Sequence, residues 1–168
     1  MVNFEGAERK VQWKIDIKIL DLQHYLPVFF EGLREEEDPM KFLADAGIDD
    51  LILNGKEKLL PVLPQLILPI KKALQTKKPE VVVKTLKKIQ LVVKSSDVVA
   101  EALVPYYRQI LPVLNLMKNR NKNLGDAIEY GQKKGANIGD LITQTLELME
   151  KHGGEDAFIN IKYMVPTY

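Results

Sequence analysis

Cysteine is absent from the chain, which excludes disulfides, thiol nucleophiles and zinc–thiolate sites. Histidine is almost absent: His24 and His152 lie far apart, and neither has a helical i+4 histidine or carboxylate partner of the kind a metal site uses. The only serines, Ser95 and Ser96, are better placed as helix caps than as nucleophiles. No GxxxxGK[ST] or GxGxxG loop is present to cradle a phosphate. The acidic clusters Glu35–Asp38 and Asp45/Asp49/Asp50 do not follow calcium-loop spacing and read as solvated faces. Long apolar runs are missing too; Leu59–Ile70 is 12 residues broken by three prolines, too short for a bilayer. The opening MVNFEGAERK lacks the apolar core of a secretory signal, so no secretion is expected. These absences predict no catalytic, cofactor or metal site and no membrane partner. They favour a scaffold or adaptor over an enzyme.

What is present is an ordinary apolar fraction in 168 residues, enough for one well-cored domain. The net charge of +1 hides a strong segregation. Residues 22–55 carry two basic residues against eight acids, a balance of −6. Residues 56–94 carry ten lysines against two acids, or +8, and residues 126–156 carry three lysines against seven acids, or −4. The basic segment contains no aromatic residue for stacking, which argues against nucleic acid and for an acidic protein surface.

Along the chain, Val11, Trp13, Ile15, Ile17 and Ile19 alternate with polar residues, predicting an extended strand in an arm over residues 1–20. Such an arm either lies across the protein's own helices or adds to a partner's sheet. The domain proper, residues 21–168, reads as helical throughout. Asp21 is placed to cap a helix over Leu22–Leu33, whose apolar residues recur at i, i+3, i+4 and i+7. Short helices are expected after Pro39, ending at Gly47, and over Asp49–Leu53. Pro61, Pro64 and Pro69 predict a divided Lys56–Gln75 segment, and Pro105 and Pro112 a kinked or split Asp97–Met117 segment. Val81–Lys94 reads as one helix in spite of its β-branched residues, because Val82, Leu86, Ile89 and Val93 form a stripe. Lys118–Asn123 is expected as a basic loop and Gly125–Lys134 as a short polar helix. Asn137 and Asp140 resemble a capping box for Ile138–His152, and Glu155–Val165 closes the chain as a helix.

The sum is an all-α protein of about 8–10 short helices with an extended N-terminal arm. Aligning Pro69 with Pro112 matches Ile67–Ile70 to Ile110–Val113 at a period of 43 residues. That lies in the range of HEAT and armadillo repeats, and favours a solenoid of helix pairs over a four-helix bundle.

Several strings are more distinctive than any periodicity: VQWK and HYLPVFFEGL, LPVLPQLILPIKKAL, ALVPYYRQILPVLN, and GGEDAFINIKYMVPTY at the end. From about Val11 onward the chain resembles the Parkin co-regulated gene protein family. The resemblance implies a HEAT/armadillo-like fold and a structural role in the axoneme of motile cilia and flagella. It implies a position at the inner junction of the doublet microtubule, where the B-tubule closes on the A-tubule. The partners it implies are α/β-tubulin, a β-sandwich inner-junction flagellar protein, a small meiosis-expressed adaptor and chaperones. Tubulin is acidic, so the expected contacts are Lys71, Lys72, Lys77, Lys78, Lys84, Lys87 and Lys88, with Lys118, Arg120 and Lys122 beyond them. The arm, through Lys10, Trp13 and Lys14, is the expected site for a protein partner. The alternative role is a soluble cytoplasmic adaptor for chaperone or cargo complexes in cilium assembly.

Overall fold

The computed structural model describes residues 2–3, 10–123 and 128–168, and side chains for 10–119 and 138–168. Two dipeptide strands, β1 (Val2–Asn3) and β2 (Lys10–Val11), pair antiparallel with Val2 opposite Val11. The expected strand over residues 11–19 does not form. Beyond Val11 the arm is irregular and ends in a 3-10 turn at Ile17–Ile19, capped by the Asp16 carboxylate, which accepts from the Lys18 N–H. The alternation served a different purpose: Trp13 and Ile17 pack against the domain while Ile15 and Ile19 face solvent.

The remainder is helical: α1 (Leu22–Glu31), α2 (Met40–Asn54), α3 (Leu59–Gln75), α4 (Pro79–Ser95), α5 (Asp97–Leu103), α6 (Tyr107–Asn123), α7 (Ile128–His152) and α8 (Ala157–Met164). Helices α1, α3, α6 and α8 pack side by side in that order, and α2, α4 and α7 do the same behind them. Within each pair, α1 lies on α2, α3 on α4 and α6 on α7. One continuous core runs from Leu22 through the buried faces of α3 and α6 to Val165.

Fewer breaks occur than the prolines suggest. Pro27, Pro64, Pro69 and Pro112 all lie inside helices. Each removes the donor for the carbonyl four residues earlier, and those carbonyls belong to Gln23, Leu60, Gln65 and Arg108. All four residues are exposed, so each lost donor falls on the solvent side of its helix. Pro105 does interrupt its helix, within a 3-10 turn where the Glu101 carbonyl takes the Val104 N–H instead. Ser96 caps α5 as expected, its hydroxyl accepting from the Val99 N–H at 3.1 Å.

Gly47 is not a stop but an interior residue of α2, and Lys118–Asn123 is the last part of α6 and not a loop. Helix α7 already runs from Ile128, so Asn137 and Asp140 cap nothing; Gly125–Ala127 lies outside the described residues. A mid-helix glycine costs about 1 kcal/mol, which neighbouring turns and packing override.

Burial also corrects the repeat. Leu63, Leu66, Ile67, Ile70 and Ala73 of α3 are buried, and so are Tyr107, Ile110, Leu111, Leu114 and Met117, each 44 positions later. The Leu-Pro match at 43 was one residue out of register: exposed Pro112 corresponds to exposed Leu68, and buried Pro69 to buried Val113.

Candidate partner-binding surfaces

Trp13 makes the arm's aromatic and hydrogen-bonding contact with the domain, beside the packing of Ile17 and the Lys58 ammonium donating to the Lys18 carbonyl at 3.1 Å. The Trp13 indole donates to the Asp50 carboxylate at 3.0 Å, and its ring lies 5.8 Å from that of Phe29, tilted by 42°. Phe29 in turn rests on Gly47, where an added Cβ would stand 2.3 Å from the ring. Trp13, Phe29 and Gly47 thus form a stack from the arm through α1 to the backbone of α2. Beside it opens a cleft of about 610 Å³, lined by Val11, Trp13, Lys14, Val28, Phe29, Met40 and Leu43 among others. Val28 and Met40 are exposed there, giving an apolar floor with Lys14, Glu31, Arg34 and Glu35 at the rim. Concave apolar walls with a few charges suit a partner's side chains. Lys10 and Lys14 are both exposed at this end. Trp13→Ala is expected to cost about 2 kcal/mol and to free the arm. Faster tryptic cleavage after Lys10 or Lys14 would show the release.

The lysine surface divides into distinct environments. Lys72, Lys77 and Lys87 are exposed and form no ion pair among the described residues, and Lys71 is half-buried. Lys78 pairs with Glu36, bridging the α3–α4 turn to the segment before α2. Lys41 pairs with Glu80 at 2.9 Å beside it. Lys84 lines a second cleft of about 650 Å³ with Asp45, Glu80, Lys87 and Asp140. Burial pushes its ammonium below the usual lysine range, opposed by the carboxylates of Asp45 and Glu80.

Lys88 is not a surface contact. It is only 4% exposed, and its ammonium lies between Asp45 and Asp49, 2.7 Å from the latter. Those carboxylates, four residues apart on α2, hold α4 against α2 through it. Periodicity placed Lys88 correctly beside Lys84 and Lys87, but the position of α2 put it inside. The Asp45/Asp49/Asp50 cluster, expected as a solvated face, supplies this clasp and the acceptor for Trp13. The i, i+4 spacing of Asp45 and Asp49 was the available signal; which lysine they meet was not.

Lys118 stands over the Tyr168 ring, 5.9 Å from its centroid. The Tyr168 hydroxyl donates to Glu150, and burial followed by that carboxylate raises the phenol above its ordinary range. Lys118 therefore helps hold the C-terminal segment against α6 and α7. The side chains of Arg120 and Lys122 lie outside the described residues. His152 Nδ1 lies 2.9 Å from the Asp97 carboxylate, tying the end of α7 to the start of α5. Among the described residues there is no group of histidines and acids able to hold a metal ion, and no helix long and apolar enough to cross a membrane.

Residues 1–168 match the profile described as Parkin co-regulated protein. The chain is also 58% identical over 164 residues to the mouse Parkin coregulated gene protein homolog, an alignment covering 98% of this chain and 68% of the mouse protein. The chain belongs to the Parkin co-regulated protein family. The distinctive strings supply core positions, although Phe158, expected on the buried face of the last helix, is exposed and Val165 is buried in its stead. ALVPYYRQILPVLN spans the α5–α6 junction, where Leu103, Tyr107, Ile110, Leu111 and Leu114 are buried. GGEDAFINIKYMVPTY forms α8, where Ala157, Ile161 and Val165 are buried. The family name is not that of an enzyme.

Proposed function

We propose that this protein is a non-enzymatic structural component of the ciliary or flagellar axoneme. In this reading it binds α/β-tubulin and helps join the B-tubule to the A-tubule at the inner junction of doublet microtubules. Its three successive helix pairs form a small HEAT/armadillo-like solenoid. The observation that carries the reading is the three lysines of α3, the turn after it and α4 (Lys72, Lys77 and Lys87) that are exposed and form no ion pair among the described residues, in a member of this family. Exposed ion pairs contribute only about 0–1 kcal/mol each, so one copy binds an acidic lattice weakly. Repetition along a filament makes weak contacts sufficient. The Trp13 cleft is free for a second protein, such as the β-sandwich flagellar protein or the meiosis-expressed adaptor.

Changing Lys72, Lys77 and Lys87 together to glutamate should raise the Kd for microtubules by at least ~10-fold in co-sedimentation. Added salt should weaken the wild type in the same direction. Binding unchanged by the triple reversal would sink this assignment. The apolar Trp13 cleft also supports a second reading, a soluble adaptor for chaperone or cargo complexes. A lattice component stays with salt-washed doublets, whereas an adaptor elutes.

A further inference from the structure

Only one non-glycine residue among the described residues has a left-handed backbone: Lys77, at φ 58°. It stands at the apex of the turn between α3 and α4. The conformation is imposed from both sides. Pro79 opens α4, and a residue before proline is driven to extended backbone, as Lys78 is at φ −79°, ψ 123°. On the other side the Thr76 and Lys77 N–H groups donate to the carbonyls of Ala73 and Leu74, ending α3. The Thr76 hydroxyl donates to the Ala73 carbonyl at 2.8 Å and accepts from the Lys78 N–H at 3.3 Å. A residue following a helix in this conformation is usually glycine or asparagine, because a Cβ is strained there. At the other left-handed position among the described residues the chain uses glycine, Gly154, at φ 83°.

The Lys77 side chain makes no hydrogen bond or ion pair among the described residues; only its backbone N–H is used, to end α3. Its neighbour Lys78 is already neutralised by Glu36. We propose that Lys77 is the leading contact of the basic surface for an acidic polypeptide. Its charge is kept at a turn apex that glycine would make more stable. This rests on the tubulin reading for the partner's identity, but not for its chemistry.

The test compares Lys77→Gly, Lys77→Gln and Lys77→Arg in the full chain. Lys77→Gly relieves strain and removes charge: its melting temperature should rise by about 2–4 °C while affinity falls. Lys77→Gln keeps the strain and loses the charge, so it should bind as weakly with no thermal gain. Lys77→Arg should match the wild type in both. The expected loss of affinity is about 2–5-fold, read with microtubules and with a poly-glutamate peptide. If the glycine and glutamine variants bind both probes like the wild type, the proposal is overturned while the tubulin reading stands. If the wild type binds the peptide through Lys77 but does not pellet with microtubules, the tubulin reading fails and this one stands. A glycine variant with no thermal gain removes the strain argument and overturns the proposal.

Discussion

Replacing both Asp45 and Asp49 by asparagine should lower the free energy of unfolding by about 3–4 kcal/mol. The reason is an asymmetry in the clasp. Lys88 is almost fully buried, whereas the two carboxylates are each nearly half exposed. Removing the acids leaves an ammonium in the interior without a counter-charge. Removing the lysine leaves two carboxylates that water already reaches. Lys88→Met, which keeps most of the volume, should therefore cost only about 1 kcal/mol. Lys88→Ala should fall between, because it adds a cavity where α2 meets α4. Urea denaturation gives all three values, and the order matters more than any one of them. A methionine variant less stable than the double asparagine variant would mean that the ammonium is effectively hydrated.

Gly47→Val should destabilise by about 2–3 kcal/mol and release the arm. An added Cβ at this site falls 2.3 Å and 2.6 Å from two atoms of the Phe29 ring. Phe29 is wedged between α2 and Trp13, so the ring moves only by displacing the indole. Against this stands a helix-propensity gain of less than about 1 kcal/mol on replacing glycine. Gly47→Ala brings the same Cβ against the ring but no further atoms and takes the larger propensity gain, so it should destabilise by about 1–2 kcal/mol, less than valine. Trp13 is the only tryptophan, which makes intrinsic fluorescence a direct report of arm docking. The valine variant should show red-shifted emission in native buffer. Unchanged emission would mean that the arm does not depend on the Phe29 stack.

Much of this protein was legible from residue order alone. The stripe Val82, Leu86, Ile89 and Val93 indicated a helix despite β-branched composition, because burying one face of a long segment outweighs propensity. Ser96 announced its cap, since a short hydroxyl side chain before a helix has few better uses. The strings around Tyr107 and Phe158 carried the family. Local chemistry settles such features within a few residues.

The tertiary structure decided whatever depended on distant neighbours. Whether a proline breaks a helix was not decided locally: the residue four back is exposed for Pro105, which interrupts its helix, as it is for the four prolines that lie inside theirs. The arm's alternation was real, but α1 and α2 supplied the surface that makes its backbone irregular. The fate of each lysine was settled the same way. Lys77, Lys84, Lys87 and Lys88 have similar surroundings in sequence. One became a strained apex, one a cleft wall, one a free charge and one a core ion. Charge is written into the chain residue by residue; burial belongs to the helix that comes to lie across it.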